Sequence, residues 1–294
     1  MNKNSLRNAV FSFLKGLKHT CSAWKMWLLL YVFNLVFAGI VIAPIAQYME
    51  KKIGTSLLVR ELAEGFNYTV MHDFLANYEV SIFAFAELVL VIGALYLLFT
   101  VFVAGGIIAV FMQPEKEEHL RIFWSKGAYF FWRMLRLTLY FLLIHTAVAG
   151  LFVFIFLQLA PDSPTSELQY INLAKIILPL WLFCAFTIAA WQDFTKLFVV
   201  HRDEVFLMKS FRRATAFVFK NLLGVLLFYL LNLLLLGVFY LVYRFGSLTF
   251  TGMNAVFFFG QIFIIGRVGI KLWVAAGSVA FRGEIFRREE RGER

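Results

Sequence analysis

Six stretches of this sequence are apolar over lengths that would cross a lipid bilayer. They run at about 26–49, 80–112, 134–160, 171–200, 217–244 and 254–282. A helix of about 20 apolar residues is long enough to span the hydrocarbon core. Apolar residues form 61% of the chain and charged residues 16%, against about 45–50% and about 25% in soluble domains. We therefore expect an all-α, polytopic membrane protein whose 294 residues form a single six-span domain, 1–294.

The positions of lysine and arginine predict the orientation of the six spans. Twenty-one of the 28 basic residues lie in the first segment (1–25), in or within five residues of the connections after the second and fourth spans, and in the tail (283–294, with Arg282 just before it). Those just inside the predicted spans are Arg136, Lys196 and Lys220. The connections on the other side contain five, which are Lys51, Lys52, Arg60, Lys175 and Arg244. Because basic residues near span ends accumulate on the cytoplasmic side, we expect both termini to be cytoplasmic.

Amphipathic segments are expected on both sides of the membrane. Residues 50–79 carry apolar side chains at helical spacing, which predicts short helices on the outer side. On the cytoplasmic side, the segments FSFLKGLKHTCSAWKMW, FWSKGAYFFWRMLRL and MKSFRRATAFVFKNLL mix basic and aromatic residues. Such helices can lie in the interface, with their rings at the acyl boundary and their cations at the phosphates.

These basic segments indicate which partners to expect. They favour membrane lipids, and in particular anionic headgroups at the interfacial helices. A membrane protein partner or a second copy of this chain remains an alternative. The basic residues do not match any nucleic-acid-binding module, so nucleic acid is not expected.

The chain also shows a weak internal repeat. Each basic segment leads into a span, and the first and fifth spans share Tyr-x-x-Asn with a glycine five residues later, at 31–39 and 229–237. This pattern is compatible with three copies of an interfacial helix followed by a two-span hairpin. The third span lacks the asparagine, so chance similarity in a chain rich in Leu, Phe and Tyr remains the alternative.

One segment carries a resemblance to known proteins. In WQDFTKLFVVHRDEVFLMKSFRRATAFVFKN, an aromatic-flanked aspartate ends a span and a basic helix leads to the next. This pattern resembles bacterial six-span inner-membrane proteins, which are similar to the membrane domain accompanying some glycerophosphodiester phosphodiesterases. The resemblance implies an all-helical, multi-pass protein of the bacterial inner membrane. It supplies no active-site residues, and the chain contains no phosphodiesterase domain.

Ionisable residues inside the spans are the candidate functional residues. Arg267 and Lys271 share one face of the sixth span, and a cation at a helix centre costs about 2.5–3.5 kcal/mol on the insertion scale. Candidate counter-charges are Glu87 in the second span and Asp193 in the fourth, which predicts the pairs Glu87–Arg267 and Asp193–Lys271. The alternatives are a bound anionic headgroup or substrate, and cations that extend to the headgroups without a partner.

Other polar residues favour structural roles. His145 in the third span is expected to bridge helices by hydrogen bonds, with a proton relay as the alternative. Cys21 and Cys184 indicate neither a disulfide framework nor a metal site. No cofactor is expected.

The absence of catalytic motifs decides between function classes. The sequence contains no Gly-x-Ser-x-Gly, His-Glu-x-x-His or P-loop motif, so we expect a protein that is not an enzyme. The spans favour an assembly, scaffold or lipid-binding component of the inner membrane. The alternative is a transporter or permease that binds an anionic substrate on the face of Arg267 and Lys271.

Overall fold

The computed structural model describes residues 3–53, 69, 82–113, 118–160, 168–249 and 253–290. Within these ranges the chain forms eight helices and no strand. They are α1 (Lys3–Ser22), α2 (Trp24–Ile53), α3 (Ile82–Met112), α4 (His119–Leu159), α5 (Leu168–Arg202), α6 (Leu207–Lys220), α7 (Leu222–Thr249) and α8 (Met253–Glu290). Six of them, all except α1 and α6, are long and apolar enough to cross a membrane. The predicted all-α, six-span fold is confirmed.

Helix α4 begins well before the predicted third span, 134–160. The second basic segment is not a separate interfacial helix, because it forms the first part of the 41-residue helix α4. This helix is about 61 Å long at 1.5 Å per residue, twice the hydrocarbon thickness of about 30 Å. Residues 132–139, WRMLRLTL, contain mostly good helix formers and no glycine or proline, so the helix continues through the predicted junction.

The structure bears differently on the predictions for the tail and for the external segment. Helix α8 ends at Glu290, so most of the tail 283–294 continues the sixth span as helix. The external segment 50–79 lies outside the described residues, apart from 50–53 at the end of α2 and residue 69. Its predicted amphipathic helices remain a prediction.

Contacts divide the chain into two compact units. Unit 1 comprises Met1–Trp27 and Val101–Arg294, and unit 2 comprises Leu28–Thr100. Within unit 2, α2 and α3 are joined by aromatic contacts and by a hydrogen bond of 2.9 Å from Tyr96 Oη to Asn34 Oδ1. Phe37 lies against the rings of both Tyr96 and Phe99.

In unit 1, the core lies at one end, where α1, residues 119–136 of α4, and α6 pack against the spans. We call this the basic end. One buried cluster there includes Ala9, Phe194, Phe217, Phe228 and Phe281, from α1, α5, α6, α7 and α8 respectively. A second cluster joins the last part of α3, the first part of α4 and the last part of α5. Most of the buried residues of these helices therefore lie near the basic end.

Each basic segment of the sequence packs against the last part of a span. Helix α1 lies on α8, where Gly16 and Gly277 allow close approach: a Cβ on Gly16 would lie 2.9 Å from the Gly277 nitrogen. The first part of α4 lies on the last part of α3, where a Cβ on Gly106 would lie 2.5 Å from the Phe123 carbonyl oxygen. Helix α6 packs on the last part of α5. This recurring contact is consistent with the threefold repeat, which remains a prediction.

Helix α1 has two contrasting faces. Its buried stripe contains small and polar residues, namely Asn8, Ala9, Ser12, Gly16, Thr20 and, just beyond its end, Ala23. Its exposed side carries the larger apolar residues Val10, Phe11, Leu14 and Leu17. Small residues permit close packing of membrane helices, and the exposed apolar residues require lipid or protein cover. Helix α1 therefore has a small, polar face packed against unit 1 and an apolar face for lipid or protein to cover.

Candidate functional site

Three of the predicted site residues lie in unit 1, near the junction of α5, α7 and α8. The carboxylate of Asp193 on α5 accepts a hydrogen bond of 2.9 Å from Tyr229 Oη on α7. The ammonium of Lys196, one turn further along α5, lies 3.3 Å from the other carboxylate oxygen. Tyr229 is buried, and Asp193 is partly buried. This arrangement satisfies Asp193 through one residue of its own helix and one of α7.

Neither Arg267 nor Lys271 of α8 forms an ion pair with a carboxylate among the described residues of unit 1. Arg267 and Lys271 are both exposed. Arg267 and Lys196, both positively charged, lie near enough to Lys271 to act on its charge. Lys196, Lys271 and Arg267 thus form a cationic group, of which Lys196 alone pairs with Asp193 among the described residues. Such a group has a surplus of positive charge and can attract an anion.

The predicted pair Asp193–Lys271 is not formed among the described residues. Asp193 is instead bonded to Tyr229 and Lys196. The physical reason is proximity along α5, where Lys196 is three residues from Asp193 and faces the same side. The pair Glu87–Arg267 stays a prediction, because Glu87 is an exposed residue of unit 2 and Arg267 belongs to unit 1.

His145 is partly buried on α4. It has no hydrogen bond or ion pair to another residue within the described part of the chain. The structure therefore does not place it beside Asp193 or the cations of α8, and both its bridging role and the proton relay stay predictions.

Several buried polar atoms of unit 1 have no hydrogen-bond partner within the described residues. They include Asn8 Oδ1, Ser12 Oγ, Asn232 Oδ1 and Ser278 Oγ. Buried polar groups without protein partners are commonly bonded to internal water. No group of three or more His, Cys, Asp or Glu side chains that could hold a metal ion occurs in the ranges described.

The basic end exposes aromatic rings next to cations. On α1, Lys15 Nζ lies 5.9 Å from the centre of the Phe11 ring. On α4, Lys126 Nζ lies 5.0 Å from the Tyr129 ring centre, and the ammonium of Lys209 on α6 lies 5.9 Å from the centre of the Phe206 ring. The three aromatic residues are 46%, 51% and 73% exposed, respectively. Each basic segment thus presents an exposed ring and a cation side by side.

An ion pair fixes the connection between α5 and α6. Arg133 of α4 pairs with Asp203, and Tyr129 Oη donates a hydrogen bond of 2.9 Å to the same carboxylate. The hydrogen bond from Arg133 lowers the pKa of Asp203 below its ordinary value, and Tyr129 contributes in the same direction. Asp203 has a φ of 51°, a left-handed conformation that aspartate and asparagine tolerate better than most residues.

Charge also affects His19 on α1. Burial lowers the pKa of His19, and the nearby charges of Lys15 and Lys18 lower it further. The imidazole is therefore biased towards its neutral form. The effect comes first from the burial of His19 and second from the positive charges of Lys15 and Lys18.

The sequence did not identify Tyr229 and Lys196 as site residues. In the sequence, Tyr229 belongs to the repeat, and Lys196 is one of the basic residues near the end of the fourth span. The spacing Asp193–Lys196 was a usable signal, because residues three apart on a helix are neighbours. The contact with Tyr229 depends on the packing of α7 against α5, for which the sequence alone gives no register.

Comparisons with known proteins add no relative. No family model, no curated protein and no solved structure matches the chain. The resemblance to six-span bacterial inner-membrane proteins therefore stays a prediction.

Proposed function

We propose that this integral membrane protein is a non-enzymatic, lipid-binding component of the bacterial inner membrane, and that its basic end binds anionic headgroups. The observation that carries this proposal is the exposed ring beside a cation on each of the three basic segments. Tyrosine favours the level of the headgroups, and phenylalanine on a basic amphipathic helix enters the boundary between headgroups and acyl chains. Each nearby cation adds about 1 kcal/mol of attraction to an anionic surface.

The charge distribution supports a cytoplasmic position for the basic end. Twenty-one of the 28 basic residues lie in or within five residues of the four segments predicted to be cytoplasmic, which include α1 and α6 and the first part of α4. The inner leaflet is then the surface in contact with these helices. In this arrangement both termini are cytoplasmic, and the exposed apolar residues of α1 face lipid.

The test compares two double variants that remove the same charge. Lys15→Gln with Lys126→Gln removes two cations of the basic end, and Lys175→Gln with Arg244→Gln removes two exposed cations from the opposite ends of the spans. Each purified protein is placed in nanodiscs of mixed phosphatidylglycerol and phosphatidylcholine, and the lipids retained after extraction are quantified. We expect the first variant alone to lose its enrichment in phosphatidylglycerol. Equal loss in both variants, or no enrichment in the unmodified protein, would contradict the proposal.

Anion transport is the second candidate function. It is favoured by the cationic group of Arg267, Lys271 and Lys196, in which two cations are exposed and Asp193 is already bonded to Tyr229. The test is uptake of labelled phosphate into liposomes containing the protein or its Arg267→Ala variant. Uptake that depends on Arg267 would replace lipid binding as the primary function, whereas the absence of uptake supports the lipid-binding proposal.

A further inference from the structure

An apolar groove lies at the basic end, between α4 and the start of α6. Its volume is about 470 Å³, within the range of about 300–1,000 Å³ that is usual for ligand pockets. One wall is formed by Leu137, Leu143 and Ile144 of α4, and the other by Phe206, Leu207 and Phe211. Arg136 is the charged residue of the lining. The groove thus has the chemistry of a site for an apolar chain with an anionic end.

Arg136 differs from Arg133 and Arg213 in lacking an acidic partner within the described residues. Arg133 pairs with Asp203, and Arg213 pairs with Glu204. Arg136 is exposed, and its Nε donates a hydrogen bond of 3.3 Å to the Trp132 carbonyl oxygen. It has no carboxylate partner within the described residues, so its terminal nitrogens are available to an anion. Arginine binds phosphate oxygens through two parallel hydrogen bonds.

The second wall adds further charge to the same place. The ring of Phe206 lines the groove and has Lys209 Nζ 5.9 Å from its centre. Phe206 and Met208, both in the lining, are among the most exposed apolar residues described. A lipid is the apolar molecule that surrounds a membrane-spanning helix such as α4, and a cationic margin selects one with an anionic headgroup.

We propose that this groove is a specific site for one anionic phospholipid, with an acyl chain between α4 and α6 and the phosphate at Arg136. The inference rests on the proposed function, because it assigns one defined site within a lipid-binding surface. The groove site differs from the wider lipid-binding surface because it requires a single bound lipid whose acyl chain occupies a fixed place. The other basic segments need only contact headgroups.

The site is tested by photo-crosslinking of the full chain in detergent. The probe is phosphatidylglycerol with a diazirine at the end of one acyl chain, added at one equivalent, and the matched phosphatidylcholine probe is the control. We expect labelled peptides from 137–144 and 205–211, with phosphatidylglycerol preferred. Arg136→Gln should reduce this preference about tenfold, as expected for the loss of a charged hydrogen bond. Ile144→Trp fills the groove and should abolish labelling by both probes.

Two controls separate the possible outcomes. Val153→Trp places the same bulk on α4 in a different apolar groove and should leave labelling unchanged. If Ile144→Trp fails to fold, as judged by its melting curve in the same detergent, Arg136→Gln still tests the proposed site, because Arg136 lies at an exposed position. Labelling spread evenly over the spans, or an unchanged lipid preference in Arg136→Gln, would overturn the proposed site.

The proposed function can fail independently of the groove. The variant Lys15→Gln with Lys126→Gln leaves the groove lining intact. If it keeps its enrichment in phosphatidylglycerol while the groove is still labelled, the lipid site stands and the wider proposal fails. If this variant loses its enrichment and Arg136→Gln leaves the labelling of the groove unchanged, the wider proposal stands and the lipid site in the groove fails.

Discussion

The basic end and the far parts of α4 and α5 are built differently, although they belong to the same helices. We define the far parts as residues 142–159 and 168–187. All the buried residues of α4 lie between Phe123 and Phe141, and Ile177 is the buried residue in the two far parts, both of which the structure describes in full. One end is thus packed like a protein core, whereas the other leaves most of its side chains to lipid.

This difference indicates where the fold is specified. At the basic end, large rings pack against glycine and alanine, and Asp193 is bonded across helices. In the far parts, leucine and phenylalanine have few protein neighbours, and lipid tails are as apolar as those side chains, so no hydrophobic force drives the helices together there. We infer that the basic end determines the arrangement of the helices. The following comparisons test this difference with matched residues.

The largest effect is expected for loss of a buried ring. Phe194 is 0% exposed within the core of the basic end, whereas Phe154 in the far part of α4 is 58% exposed. Phe194→Ala should lower the free energy of unfolding by about 3–5 kcal/mol, and Phe154→Ala by less than about 1 kcal/mol. Titration with SDS in mixed micelles measures both. Similar losses for the two variants would show that the far part is packed by protein after all.

Added bulk at a glycine should have the next largest effect. A side chain on Gly106 would meet the Phe123 backbone, but one on Gly150 would meet nothing within 4 Å. Gly106→Leu should cost about 3 kcal/mol, at the upper end of the usual range for overpacking, while Gly150→Leu should be neutral or slightly stabilising. Melting temperatures in one detergent compare them. Equal tolerance at both positions would contradict the close contact of α3 and α4.

Loss of one hydrogen bond should have a smaller effect. Tyr229→Phe removes the donor to Asp193 Oδ2 and leaves the carboxylate with Lys196. The expected cost is about 1–3 kcal/mol of unfolding free energy. Tyr240→Phe, at an exposed position of the same helix, should change the free energy of unfolding by less than about 0.5 kcal/mol. If Tyr229→Phe had the same free energy of unfolding as the unmodified protein, Asp193 would be solvated instead of bonded to α7.

The smallest effect concerns the ion pair at Asp203. Arg133 lowers the pKa of the Asp203 carboxyl in the folded protein. The stabilisation from the ion pair is therefore fully present above the ordinary pKa of 3.8. It is lost as the pH falls through the lower pKa of the folded state. The side chain is 56% exposed, so the contribution should be well under about 1 kcal/mol. Melting curves from pH 3 to 7 should show Asp203→Asn less stable than the unmodified protein near neutrality, with the gap narrowing as the pH falls below 3.8.

The choice of asparagine isolates the charge from the backbone. Asparagine accepts the left-handed conformation of residue 203 about as well as aspartate does, so only the ionic contribution changes. Asp203→Ala should be less stable than Asp203→Asn at every pH. A constant gap between Asp203→Asn and the unmodified protein across this pH range would show that the carboxylate charge is not involved.

The sequence predicted the number of spans because long apolar runs require helices in a membrane. It did not predict the continuous α4, because helix formers on both sides of the interface give no stop signal. Arg267 and Lys271 are recognisable from their position in an apolar run, but the predicted pair Asp193–Lys271 is not formed among the described residues, and the pair Glu87–Arg267 stays a prediction. The partners of Asp193 were missed, because they depend on how α5 and α7 pack.

The most direct test of a lipid-binding basic end is amide hydrogen exchange in nanodiscs of phosphatidylglycerol compared with nanodiscs of phosphatidylcholine. We expect phosphatidylglycerol to slow exchange in α1, in residues 119–136 of α4 and in α6, and to leave residues 168–180 at the opposite end of α5 unchanged. Equal exchange in the two lipids, or slowing that is as large at 168–180 as at the basic end, would contradict the proposed function.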